Sequence, residues 1–193
     1  MDITEQIATL SNSVPQLTPV FVHGSSKRQN FALPKFTMDY ILKNPKSHEL
    51  WKKLIQTCKW FFDKNPIVVL PCLHCTDDDD DVVITTCSGG YCDDLCDRPV
   101  NFIFKQFMLW ITHQFDMKKE CSIDAAKFLI PYIYKCDATA IRLVKQVLTF
   151  EEFLFLTDKV VHLIYAPGLQ TGDNIPVPFE KIVESLPNIK NIF

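Results

Sequence analysis

Glycine is scarce in this chain. Five glycines among 193 residues leave no glycine-rich loop to cradle a phosphate. Basic excess is also missing. Lys+Arg total 20 against Asp+Glu 23, for a net charge of −3 and a pI near 5.9. That balance argues against nucleic acid and against an anionic membrane as partner. No apolar stretch approaches the roughly 20 residues a membrane span needs. The N-terminus carries Asp2 and Glu5 and lacks a basic region followed by an apolar run. The expected setting is therefore intracellular, cytoplasmic or nuclear, and the eight cysteines read as reduced thiols.

Enzyme signatures are missing too. There is no G-x-S-x-G nucleophile elbow, and Cys87-Ser88-Gly89-Gly90 does not supply one. His23, His48, His74, His113 and His162 each stand alone. No catalytic residue is assigned, no cofactor is expected, and the chain reads as a non-enzyme. What the chain has is apolar and aromatic mass. Hydrophobic residues make up 47% and aromatics 12%, with 15 Phe. That suffices for one domain with a real core, or for a small module and a larger one.

The stretch Leu33 to Leu70 is the best patterned. Leu50, Trp51, Leu54, Ile55, Cys58, Phe61 and Phe62 recur at spacings of three and four, which predicts one amphipathic helix. Ser47 is the expected N-cap, and Asn65-Pro66 the stop. Ahead of it, Leu33, Phe36, Tyr40 and Ile41 share a face of a shorter helix that Pro34 can open. Trp60 falls off the stripe of the second helix. Either another part of the chain covers it, or it is exposed and anchors a partner. Ile67-Val68-Val69-Leu70 predicts a buried strand that Pro71 ends.

Residues 72–99 hold Cys72, Cys75, Cys87, Cys92 and Cys96, and the five aspartates Asp77 to Asp81. Cys72-x2-Cys75 fits half of a zinc knuckle, but the second half has the spacing Cys87-x4-Cys92-x3-Cys96. A zinc cage and a polar loop with small buried thiols both remain open; no metal ligand is assigned. Counted from Asp77 as a calcium loop, the sixth and twelfth places hold Val82 and Ser88 rather than glycine and glutamate, so that motif fails. An exposed flexible loop is expected for the aspartate run, with a strand over Val82 to Thr85.

From Asn101 onward, strand and helix signals alternate, the mark of parallel βαβ units. Strands are expected at Phe104–Ile111, Thr139–Val144, Val160–Tyr165 and Ile189–Phe193. Helices are expected at Ser122–Pro131, Thr149–Leu156 and Pro178–Leu186, with Thr149 and Glu152 as a capping box. Strand centres near Leu109, Ile141, Leu163 and Ile189 lie 32, 22 and 26 residues apart. Leucine-rich repeats use roughly 20–29.

Two resemblances build on these residues. Leu33-Pro34, Ile41-Leu42, Pro45, Glu49-Leu50 and Cys58-Lys59-Trp60 together resemble the F-box pattern over roughly 30 residues. The tryptophan here follows Cys-Lys directly, and Lys35, Thr37 and Met38 stand where that pattern is acidic and leucine-rich. Over nearly the whole chain, KNPKSHELWKKLIQTCKWFF, DKNPIVV and PFEKIVESLPNIKNIF are similar to a nematode-expanded family of F-box-like proteins with leucine-rich-repeat-like C-terminal halves.

The resemblance implies an α/β chain, α+β overall, in which an N-terminal helical F-box-like module precedes a short leucine-rich-repeat-like βα array with parallel strands. The expected divisions are an N-terminal arm (1–30), the module (31–66), a strand with the Cys/Asp-rich loop (67–100) and the array (101–193). The implied function is a substrate adaptor of a cullin–RING ubiquitin ligase. It would bind a Skp-type adaptor through Leu33, Pro34, Phe36, Ile41, Leu42, Leu50 and Trp60 and hold a protein target elsewhere. A target-binding domain without a ligase role and a zinc-bound interaction domain are the alternatives.

Overall fold

The computed structural model describes residues 33–78, 81–86, 98–99, 106–118, 121–165, 169–170 and 175–193. The expected arm (1–30), Cys87, Cys92, Cys96 and most of the turn at 168–174 lie outside them. The described residues form a mixed α/β fold with six α-helices and a mostly parallel sheet.

Three short helices come first: α1 (Lys35–Lys43), α2 (His48–Thr57) and α3 (Lys59–Lys64). Ser47 caps α2 as expected, its hydroxyl accepting from the Leu50 amide at 3.2 Å. The single helix expected through Phe62 is broken at Cys58, whose backbone is extended (φ −149°, ψ 117°). No proline or glycine causes the break. It serves packing: turning the chain there sets Phe61 edge-to-face on Trp51 at 6.5 Å, and Trp60 edge-to-face on Phe61 at 5.4 Å.

The sheet strands are β1 (Ile67–Asp78), β2 (Asp81–Thr86), β3 (Arg98–Pro99), β4 (Met108–Met117), β5 (Ile133–Cys136), β6 (Ala140–Leu143), β8 (His162–Tyr165) and β10 (Asn191–Ile192). A separate parallel pair joins β7 (Leu148–Thr149) to β9 (Leu169–Gln170). Helices α4 (Ala125–Leu129), α5 (Phe150–Thr157) and α6 (Phe179–Glu184) sit between strands, and a 3-10 turn (Ile130–Tyr132) follows α4. Strands β1, β4, β6, β8 and β10 lie side by side in chain order, all parallel. Strands β2 and β3 extend the β1 edge antiparallel. The first half of β4 pairs with β5 and its second half with β6.

One column runs straight across this ladder: Leu73, Phe115, Ile141, Leu163 and Ile192. The first four are buried, in one core with Ala126 and Leu129 of α4, Phe153 and Leu156 of α5, and Ile182 of α6. The helices α4–α6 therefore share one face of the sheet. A smaller core occupies the other face at the start of β1 and β4. It joins Met38, Trp51 and Phe61 of the three N-terminal helices to Ile67, Val69 and Trp110.

Three local expectations are corrected. Pro71 does not end β1; a register shift between Leu70 and Cys72 takes up the residue that lacks an amide donor, and the strand runs on to Asp78. The aspartate run is not one loop, since Asp77 and Asp78 close β1, Asp81 opens β2, and Asp78 pairs with Asp81 across the hairpin. Ser122 does not cap α4. The buried Gln146 does that work from a distance: its Oε1 accepts from the Ala126 amide at 2.9 Å while its Nε2 donates to the Ser122 carbonyl at 3.0 Å. The capping box at Thr149 and Glu152 forms as read, with both hydrogen bonds present.

Candidate functional site

Helix α1 is apolar on two opposite sides. Met38, Ile41 and Leu42 are spaced three and four apart and fall on one side; Phe36 and Tyr40, four apart, lie on the other, and Leu33 precedes the helix, ahead of its N-cap Pro34. A helix resting on one surface buries only one such stripe. The structure buries the Met38 side, with Ile41 and Leu42 packed partly buried against the Trp51 core. The other side is left in solvent: Phe36 is 75% exposed, Tyr40 56%, Leu33 50%, and Leu50 on α2 48%. The reading that put Ile41 with Phe36 on one face, and Leu50 in the core stripe, is corrected by this division.

The seven residues expected to bind an adaptor therefore separate. Leu33, Pro34, Phe36 and Leu50 are exposed. Ile41, Leu42 and Trp60 are half-buried against the module's own core. Trp60 is thus neither a bare anchor nor fully covered. Tyr40 joins the exposed group and was legible in the 33-36-40 spacing. Asn65 ties the unit closed, its Nδ2 donating to the Leu42 carbonyl at 2.8 Å. At the α2 N-terminus, a hydrogen bond from its own backbone amide holds the Glu49 carboxyl below the usual carboxylate range, and the Ser47 hydroxyl adds to this.

A second polar feature crosses the ladder on the face away from α4–α6. His74, Asp116, Arg142 and Ile164 stand at one register level on β1, β4, β6 and β8. Asp116 Oδ2 accepts from Arg142 Nη1 at 3.2 Å and lies 3.4 Å from His74 Nδ1. The Asp116 and His74 side chains are 1% and 6% exposed, and Arg142 is 33%. Asp116 Oδ1 and His74 Nε2 have no hydrogen-bond partner among the described residues. A carboxylate on Nδ1 with Nε2 free is a geometry used in acid–base dyads. Among the described residues no partner meets Nε2, and both side chains are almost fully buried. The row is a buried ionic contact in the sheet, and sequence reading missed it because its members lie 42 and 26 residues apart.

Cys72 and Cys75 do not face the same way. On a strand, positions three apart point to opposite faces. Cys75 faces the α4–α6 core, where it meets Cys121, whose Sγ donates to the Cys75 carbonyl at 2.7 Å. Cys72 shares the other face with His74. No cluster of three metal-ligating side chains occurs among the described residues.

Cys136 is a buried thiol whose pKa desolvation pushes up to about 12 from 9.0. Its folded value is raised, so the stability it contributes is full below the ordinary thiol range and falls as pH climbs from there toward 12. Cys136→Ala is expected to flatten the alkaline decline in stability. In alkylation at about pH 8.5, half-buried Cys58 should react while Cys136 stays intact, because under about one part in a hundred of it is thiolate. Peptide mass mapping checks this; equal labelling of both would refute the assignment.

Compared with family models, curated proteins and solved structures, the chain matches none. No helix among the described residues is long and apolar enough to cross a membrane.

Proposed function

We propose that the chain is an F-box-like substrate adaptor that carries a protein target to a cullin–RING ubiquitin ligase through a Skp-type adaptor. The observation behind this reading is the second apolar stripe of α1. Leu33, Phe36 and Tyr40 at α1, and Leu50 on α2, leave large apolar side chains in water that the chain's own core does not use. They fall within the residues that resemble the F-box pattern. Behind them, Trp51 and Trp110 anchor the unit on the sheet, so a partner would meet a preformed surface.

The ladder supports a leucine-rich-repeat-like reading of the remainder. From Phe115 the core column advances by 26, 22 and 29 residues per strand, through Ile141, Leu163 and Ile192. The first step, from Leu73 to Phe115, is longer because it contains β2 and β3. Parallel neighbours in chain order are what stacked βα repeats produce.

Co-precipitation with Skp-type adaptors tests the reading. Phe36→Asp and Leu50→Asp should each weaken binding by roughly thirtyfold, about 2 kcal/mol. Both residues are exposed, so thermal stability should change by no more than about 0.5 kcal/mol. Trp60 is a poor site for this test because it packs against the module core. Adaptor binding that both variants retain in full would remove the stripe from the mechanism. The packing of Ile41, Leu42 and Trp60 inside the module favours a second reading: a target-binding domain with no ligase role. Absence of adaptor binding by the unmodified chain would select it.

A further inference from the structure

The charge of the chain is divided. Residues 33–66 carry seven lysines, no arginine and three acids, a net +4. The whole chain is −3, so everything outside the helical module amounts to −7. All seven lysines are exposed, and none makes an ion pair among the described residues. The three acids offset them little. Asp63 is buried, Asp39 is half-buried, and Glu49 Oε1 lies 2.9 Å from His48 Nε2. The outer surface of α1–α3 is therefore positive in a chain that is otherwise negative.

Lysines and apolar side chains share faces. On α1, Tyr40 and Lys43 follow Phe36 by four and seven residues, which sets the three along one side. On α2, Lys53 lies one turn beyond the exposed Leu50. Apolar side chains with a charged rim are the layout of a protein interface. Charge of either sign would keep such a surface soluble. Unpaired charge of one sign, confined to the module, instead selects a partner of the opposite sign.

We infer that the exposed surface of the module docks an acidic protein segment. Its large apolar side chains rest on Phe36 and Tyr40, and its carboxylates meet Lys43 and Lys53. A nucleic acid or an anionic membrane is an extended polyanion, and the −7 on the rest of the chain opposes it. A protein segment can meet the module alone. This rests on the docking stripe of the adaptor reading and supplies the chemistry of its partner. The two fail separately, because the test below contains no adaptor.

A displayed library of random dodecapeptides, panned on the full chain, reads the partner's charge directly. Enriched peptides should carry net negative charge and large apolar residues. Synthesised, labelled and titrated by fluorescence polarisation, they should bind about tenfold more weakly at high salt than at low salt. Lys43→Glu should weaken binding about fivefold at low salt and far less at high salt. Phe36→Ala should weaken it about tenfold at both. Lys190→Glu changes the net charge equally at an exposed site outside the module and should have no effect. Circular dichroism checks the fold of each variant. No enriched peptide, enrichment of neutral or basic peptides, full binding to Phe36→Ala, or equal effects of Lys43→Glu and Lys190→Glu would each overturn the inference. So would tighter binding to single-stranded oligonucleotides or phosphatidylserine vesicles, or a dimer of the unmodified chain that Lys43→Glu dissolves.

Discussion

Trp51→Ala is expected to lower the stability of the chain by about 3–5 kcal/mol, the range for removing a buried tryptophan. Trp51 is fully buried where the N-terminal helices meet the sheet. Its indole Nε1 donates to the Ile67 carbonyl at 3.0 Å, at the first residue of β1. Alanine would open a cavity between Met38, Phe61, Val69 and Trp110 and leave that carbonyl without its buried donor. Total stabilities of single domains run about 5–15 kcal/mol, so this one change removes a large share. Urea unfolding followed by far-ultraviolet circular dichroism measures it, and a loss below about 1 kcal/mol would contradict the packing described. The proposed adaptor binding should fall with it, because this core, with the Asn65–Leu42 hydrogen bond, holds α1 in place. Trp51→Phe should recover most of the packing but not the hydrogen bond, leaving a deficit of about 1–2 kcal/mol.

Arg142→Ala should be the second large effect, at about 3–5 kcal/mol. The reason is asymmetry. Arg142 is one-third exposed and reaches water, whereas Asp116 is buried with Oδ1 already unpartnered. Removing the arginine strands a buried carboxylate beside His74. Removing Asp116 instead lets the arginine turn to solvent, so Asp116→Ala should cost less, about 1–3 kcal/mol. The double variant Asp116→Ala/Arg142→Ala should be more stable than Arg142→Ala alone. A double-mutant cycle in urea reads all three values. Equal costs for the two single variants would show that the carboxylate does not depend on this arginine.

Much of the local structure was legible because its causes are local. Ser47 lies three residues before Leu50, and Thr149 three before Glu152; those spacings place a hydroxyl at an orphan amide whatever lies elsewhere. Ile141 and Leu143 alternate because strand side chains have a period of two, and both are buried as that alternation implies. The stop at Asn65-Pro66 is proline stereochemistry, and α3 ends at Lys64. Of the candidate docking stripe, spacing put Leu33, Phe36 and Tyr40 on one face together with Ile41, and the docking role came from the resemblance to the F-box pattern. That same spacing did not say which side of α1 would be covered, since both sides are apolar.

The chain by itself determined the caps at Ser47 and Thr149, the stop at Asn65-Pro66 and the alternation of strands and helices, but not the α4 cap or the end of β1. The tertiary structure decided how those pieces use one another. Met38 turned inward and Phe36 outward because β1 and β4 present Ile67, Val69 and Trp110 to one side of the module only. The helix broke at Cys58 because edge-to-face packing of Phe61 on Trp51 outweighed the continuation that propensity allowed. The shift at Pro71 put Leu70 and Leu73 on the same face, and so Cys72 and His74 on the other. From there Asp116 and Arg142 came to lie beside His74. Each of these depends on which residues meet across the sheet, and spacing along the chain carries no record of that.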